Sequence, residues 1–281
     1  MRLSNMRWDI SKMKEVFTNS GSTCAYAIIS AIFTVIPEDI FLCGFVPCDL
    51  SDPAIIVVNR IFACVIVFVL ANIVYLCYKK VRKSVVVAGK NFTISIEYGD
   101  LLNIPQGRKV INFDECYSTK VGQEPGDIKP ASICGQYLTK FPIDNIQELI
   151  ENAGVASKGV SKYNKMPKYK LGTIVPRYDF FLMAFTELDE DGLSKMTYDR
   201  YLDCLDYLWQ QIDKYHGTED VYVPILGSHI TRLDKELTQQ ELLDVMIASY
   251  RLSPYKLKNP FTLHIVCVGR DGFSLNNIWG I

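Results

Sequence analysis

Two short loops hold the residue types in this sequence that could do chemistry. Gly99, Asp100 and Leu101 follow directly on FTISIEY (Phe92 to Tyr98), where apolar and polar residues alternate as in a half-buried strand. A carboxylate there can accept from an amino group of a base, although an aspartate closing a strand is also a common turn residue. The second loop is VPILGSHITRL (Val223 to Leu233), an apolar strand running into Gly227 and then toward a helix. Backbone N–H groups exposed at such a turn can bind phosphate oxygens. The loop has no Gly-Lys-Ser/Thr run, so ATP hydrolysis with a lysine on the terminal phosphate is not indicated.

Catalytic candidates are few. Of the three histidines, His264 falls inside an apolar strand and reads as a core residue, while His216 stands near a helix end, where a cation suits the dipole. Only His229 is on a candidate ligand loop, with no carboxylate or thiol evidently paired with it. Cys134, beside Gly135, could be a nucleophile but reads first as a small apolar filler. The nine cysteines (24, 43, 48, 64, 77, 116, 134, 204 and 267) show neither a CxxC nor a zinc-spaced Cys/His quartet, so a structural metal is not expected. With 30 basic against 31 acidic residues and no basic stripe interleaved with aromatics, nucleic-acid binding is not favoured either. The chemistry on offer is ligand binding, without a cofactor and without an evident catalytic set.

The elements that must position these loops alternate in type. Lys109 to Phe113 is a short apolar run. Asp144 with Gln147 reads as a capping box for a helix ending near Ala153 and Gly154, and the Lys- and Tyr-rich stretch 158–170 reads as a solvated connector. Tyr178 to Thr186 reads as a buried strand, Ser194 to Tyr215 as an amphipathic helix, and Val221 to Leu226 as a strand. Thr238 with Glu241 caps another helix through Tyr250, and Phe261 to Val268 is a last buried strand. No internal repeat is present. The class is mixed α/β.

Ahead of this domain lie two apolar segments. Val16 to Ile36 is 21 residues without a charge, about 31 Å of helix at about 1.5 Å per residue. Ile61 to Tyr78 adds 18, extended outward by Ala54 to Val58. Cations precede the first (Arg2, Arg7, Lys12, Lys14) and follow the second (Lys79, Lys80, Arg82, Lys83), whereas the linking loop holds Glu38, Asp39, Asp49 and Asp52. The expected arrangement is a multi-pass hairpin with spans at about 16–36 and 54–78, both termini cytoplasmic, in the inner (plasma) membrane. Residues 1–83 then form the membrane part and 84–281 the cytosolic domain. A cleaved signal peptide is the competing reading of the first segment. Small residues four apart (Gly21/Ala25, Ala27/Ala31) allow close helix packing, within the hairpin or between hairpins. Asn72 could hydrogen-bond across helices, Arg60 could snorkel to the outer interface, and a Cys43–Cys48 disulfide is chemically permitted there.

The two loops together resemble the macro domain, the ADP-ribose-binding α/β/α family, over roughly residues 84–281. The resemblance implies a three-layer domain with a mixed sheet and an ADP-ribose-like ligand. It places Gly99, Asp100 and Leu101 at the adenine, and Asn112 of KVINFDECYST near the distal ribose. Glu115 or a neighbour replaces the usual second asparagine, which weakens hydrolase chemistry. IKPASICGQYL, with Ser132, Ile133 and Gly135, stands where the first diphosphate-wrapping loop belongs; Leu226, Gly227, Ser228, His229, Ile230 and Thr231 match the second. A membrane hairpin ahead of a divergent macro domain resembles the membrane effectors of type II Thoeris anti-phage defence. That resemblance implies a homo-oligomer acting on the lipid bilayer. Its messenger would be ADP-ribose-derived, of the histidine-conjugate type, and made by a TIR-domain enzyme. An ADP-ribosyl hydrolase or an ADP-ribose-reading anchor is the alternative.

Overall fold

A computed structural model describes the chain apart from residues 1–19, 36, 38, 39, 42–51, 125, 164, 229–231, 235, 270–272 and 279–281. It divides into two units, Met1–Arg82 and Lys83–Ile281.

The first unit contains helices α1 (Ser20–Val35) and α2 (Asp52–Val81). Only α2 is long and apolar enough to cross a bilayer among the described residues; α1, at 16 residues, falls short of a full span. Of the two expected spans, the second is described as a helix of span length and the first only over Ser20–Val35, positions 16–19 and 36 lying outside the described residues. Ile61, Phe62, Val65, Leu70, Val74 and Leu76 are exposed along α2, a run of apolar surface that water does not tolerate at this length. The Asn72 amide and the Ser22 hydroxyl bond each other across the two helices at 3.2–3.3 Å, and Asn59 Nδ2 of α2 donates to the carbonyl of Phe41 in the linking segment at 2.7 Å. The Arg60 guanidinium lies over the rings of Phe33 and Phe41, 5.5 and 5.4 Å from their centroids. The Cys43–Cys48 question falls outside the described residues.

The second unit is built on strands β1 (Ser84–Ala88), β2 (Thr93–Tyr98), β3 (Arg108–Asp114), β4 (Ile174–Arg177), β5 (Phe180–Leu188), β6 (Ser194–Met196), β7 (Val221–Pro224), β8 (Arg232–Leu233) and β9 (Thr262–Cys267). Four helices accompany them: α3 (Ile133–Lys140), α4 (Ile146–Asn152), α5 (Tyr198–Tyr215) and α6 (Gln239–Leu252). The sheet order is β1-β2-β9-β7-β3-β5, with β4 antiparallel to the first half of β5 and the short β6–β8 extension pairing with its last residues. β2, β9, β7, β3 and β5 are parallel neighbours, whereas β1 runs antiparallel to β2, so the sheet is mixed.

Alternate residues of each central strand feed two cores. On one face Val110, Phe181, Met183, Val223 and Ile265 pack with Trp209, Leu205, Met246 and Tyr250 of α5 and α6; Trp209 Nε1 donates to Ser249 Oγ at 2.9 Å. On the other, Ile111, Phe113, Leu182, Ala184 and Val266 meet Cys134, Tyr137, Leu138 and Ile150 of α3 and α4. The result is the expected three-layer α/β/α arrangement.

Several boundaries differ from expectation for local reasons. The helix expected from Ser194 begins at Tyr198, because Ser194–Met196 pairs with β5 and Thr197 then caps through the Arg200 amide. The cap of α4 is Asn145, accepting from Glu148 N, not Asp144. Tyr178 is not in a strand; with φ +50° it sits at the exposed tip of a β4–β5 hairpin. Thr238 and Glu241 do form the reciprocal capping box.

Candidate functional site

Parallel registers place the strand ends. Tyr98 pairs with Cys267, Val266 with Pro224, Lys109 with Tyr222, and Asp114 with Thr186, so the carboxyl ends of β2, β9, β7, β3 and β5 share one edge. Neighbouring β3 and β7 send the chain in opposite directions, β3 through α3 and α4 toward β5, β7 through α6 toward β9. That is a topological switch point, where an open parallel sheet leaves a crevice. Asp100, Asn112 and Gly227 fall at or just beyond these strand ends, and of the three only Asn112 lines the cleft at the ends of β3 and β5.

A cleft of about 680 Å³, open to solvent, lies at the ends of β3 and β5. Asn112, Asp114, Lys129, Ser132, Thr186 and Ser194 are among its polar lining, with Phe113, Cys134 and Leu188 among the apolar.

Asp100 is exposed and caps the 3-10 turn Leu101–Asn103: Oδ1 accepts from Leu102 N at 3.0 Å and Oδ2 from Asn103 Nδ2 at 2.6 Å. Each oxygen keeps a lone pair, and both hydrogen bonds fix the carboxylate's direction. Leu101 is buried in the second core, and Gly99 donates to the Cys267 carbonyl, welding the turn to β9. A Cβ at Gly99 would meet Val266 at an ordinary 3.5 Å, so the fold alone does not demand glycine there.

Ser132 caps α3, accepting from Gly135 N at 2.9 Å while its hydroxyl donates to the Lys129 carbonyl at 2.7 Å. A Cβ at Gly135 would stand 2.2 Å from the Lys129 carbonyl oxygen. This glycine therefore lets the loop before α3 fold back on the helix, and its amide is spent on the cap. Ile133 opens the helix beside them, partly buried.

In the other loop Gly227 has φ +81°, which only glycine adopts without strain. Leu226 is buried, its amide directed at Met246 Sδ and its carbonyl at the Tyr201 hydroxyl, so it anchors the loop. Ser228 Oγ donates to Ile225 O at 3.1 Å. His229, Ile230 and Thr231 lie outside the described residues.

Sequence reasoning missed Asp114 and Glu115 as buried acids. A register shift between Phe113 and Asp114 re-aims the strand end, as bulges near sites do. Asp114 Oδ1 accepts from the amides of Cys116 (2.8 Å) and Ser118 (3.1 Å). Burial pushes its carboxyl above the usual aspartate value, outweighing the Ser118 hydroxyl and these two amides. Glu115 Oε2 lies 3.7 Å from Lys168 Nζ, which gives one lysine of the connector a structural partner. Burial also raises the Cys134 thiol well above its ordinary value and pushes Cys116 up to about 12, so both stay protonated and unreactive at neutral pH. His264, expected in the core, is half-buried instead: Nδ1 meets Glu97 Oε1 at 2.9 Å and its ring stacks on Tyr222. Among the described residues no His/Cys/Asp/Glu group is arranged to hold a metal.

The family profile described as "Thoeris protein ThsA, Macro domain" matches residues 94–268. The chain belongs to this family. A Thoeris protein ThsA of Bacillus amyloliquefaciens (strain Y2) is 28% identical over 194 residues, covering 65% of this chain and 65% of that relative, which is therefore matched over somewhat less than two thirds of its length. Among solved structures, a mutant Oceanobacillus iheyensis macrodomain with ADPR superposes with TM-score 0.45 at 10% identity, covering 66% of this chain and 91% of the other. The macrodomain of Thermus aquaticus DarG gives 0.38 at 12% identity over 62% and 97%.

Proposed function

We propose that this protein is a membrane effector of anti-phage defence. Its macro domain binds an ADP-ribose-derived messenger, of the histidine-conjugate type, made by a partner TIR-domain enzyme. The observation that carries the reading is the Thoeris macro-domain match over 94–268, found in one chain with an exposed apolar helix. Asp100 takes the adenine amino group, and the Gly227 turn with Ser228 to Thr231 takes phosphate. Asn112, Ser132, Ile133 and Gly135 form or support the wall toward the terminal ribose.

In this reading α2 spans the inner membrane and the apolar segment at about 16–36 makes a second pass, with both termini in the cytoplasm. The boundary between membrane part and cytosolic domain falls near residue 83. Moving an assembly from about 1% to about 99% active takes roughly 5.5 kcal/mol of differential binding, which several linked subunits supply more readily than one. A homo-oligomer that rearranges on ligand binding and breaches the bilayer meets that demand. Hydrolysis is not part of the proposal, because the Cys134 thiol in the cleft is held protonated and no base is paired with a nucleophile among the described residues.

The test is release of a trapped dye from liposomes carrying the full chain. Release is expected with the histidine conjugate of ADP-ribose and lost in Asp100→Ala. Binding with sealed vesicles would convert the protein into an anchor, turnover of ADP-ribosylated protein would make it an enzyme, and no binding of either compound would end the sensor reading.

A further inference from the structure

The lysine-rich connector, expected as a solvated loop, folds back on itself as a hairpin. Lys158 N donates to the Lys168 carbonyl at 2.8 Å, Lys168 N to the Gly159 carbonyl at 2.9 Å and Ser161 N to the Met166 carbonyl at 2.8 Å, with Val160 opposite Pro167. It carries Lys158, Lys162, Lys165, Lys168 and Lys170, and no Asp or Glu stands between Glu151 and Asp179. Lys168 has Glu115, and Lys170 lies over the Tyr207 ring. Lys158, Lys162 and Lys165 are exposed, with no ion-pair partner among the described residues. Between these cations the hairpin turns apolar side chains outward: Val160 is 59% exposed, Met166 42% and Tyr163 37%. The hairpin also keeps to one side of the domain. The Tyr163 ring lies against Gly126 and Gly192, which line the cleft at the carboxyl ends of β3 and β5. The chain enters the domain at that same edge of the sheet: Ser84 pairs with Glu97 near the end of β2, and the Lys83 carbonyl accepts from Tyr98 N. Only Arg82 and Lys83 separate β1 from α2, which ends at Val81.

We propose that residues 158–170 make a second, peripheral contact with the bilayer, in which the exposed lysines bind anionic phospholipid headgroups and Val160 and Met166 enter the boundary between headgroups and acyl chains. The inference rests on the proposed membrane span of α2 and adds a lipid requirement to it. Basic charge alone would suit any acidic surface; apolar side chains set among lysines suit one that is anionic outside and apolar beneath. A contact too weak to hold a free protein suffices here, because a tethered domain docks on its own membrane as an intramolecular step. Lys79, Lys80, Arg82 and Lys83 at the end of α2 draw on the same headgroups.

The test is tryptophan fluorescence of the full chain carrying Val160→Trp, in liposomes with brominated acyl chains, against the wild type with its own Trp8, Trp209 and Trp279 as background. In phosphatidylglycerol-rich liposomes the added emission is expected to be quenched about twofold or more relative to unbrominated lipid of the same headgroups, and to stay unquenched in pure phosphatidylcholine. Salt at about 0.5 M, or Lys158→Gln, Lys162→Gln and Lys165→Gln together, should restore it. Met166→Trp repeats the measurement at a second position, should the first variant fold poorly. Emission unquenched in both lipids overturns the inference, and so does quenching that is equal in both or indifferent to salt and to the lysines. A spectral shift that follows protein density in unbrominated liposomes would seat a second copy on the hairpin and overturn it as well. Alkaline extraction of the same liposomes separates the two readings: a chain that stays in the bilayer with its tryptophan unquenched leaves the proposed span standing, and a chain that washes off removes both.

Discussion

Asp100 and Asp114 show how differently one residue type can be used along a single sheet edge. Asp100 is exposed and held by two local hydrogen bonds, so its carboxylate is solvated until something arrives. Replacing it with alanine should cost about tenfold in affinity for ADP-ribose, read by calorimetry, with a stability loss of about 1 kcal/mol from the lost cap. Asp114 is buried, and its folded-state pKa is raised. Between the ordinary aspartate value and that raised value the native state therefore holds more protons than the unfolded one, and stability falls as pH rises through the window. Asp114→Asn should gain on wild type by roughly 1–3 kcal/mol across the same window and hold the gain above it. Thermal melts in a pH series check this, and parallel curves for the two proteins would contradict the assignment.

At the scale of elements, glycines decide where loops can approach. The loop before α3 folds back on that helix only because Gly135 lacks a side chain. Gly135→Ala should lower stability by about 1–3 kcal/mol through backbone displacement and reshape the cleft floor. A melt unchanged from wild type would show that the loop stands further off. Two more glycines, Gly126 and Gly192, flank the ring of Tyr163, so connector, β3–α3 loop and β5–β6 hairpin meet at the cleft rim. Arg177 clamps the far end of α3, donating to the Tyr137 hydroxyl at 2.8 Å and to the Phe141 carbonyl at 3.1 Å. Capping boxes were legible in the sequence because they are local, as Thr238 with Glu241 shows. α3 was not, since eight residues of modest amphipathicity interrupted by Gly135 look like a loop until the sheet packs against them.

At the scale of the molecule, one chain carries both a cleft at the ends of β3 and β5 and an apolar helix of membrane-spanning length. The Ser22–Asn72 pair lies in the first unit and is no part of the cleft lining. Asn72→Leu should weaken helix pairing in the bilayer by about 0.6–2 kcal/mol and change dye release without altering ligand affinity. Affinity moving together with release would show that Asn72 reports on the binding unit itself.

The sequence by itself determined the class of the protein: alternating and apolar runs at their periods, cap pairs, the charge asymmetry around two apolar segments, and the loops at 99–101 and 223–233. These are local patterns, and local physics reads them. The tertiary structure decided what depends on residues far apart. It brought Asp114 against Thr186 through a register shift, spent Gly135 and Leu226 on packing, and moved His264 to a half-buried place between Glu97 and Tyr222. Burial and partner geometry set those roles, and neither exists until the strands are paired.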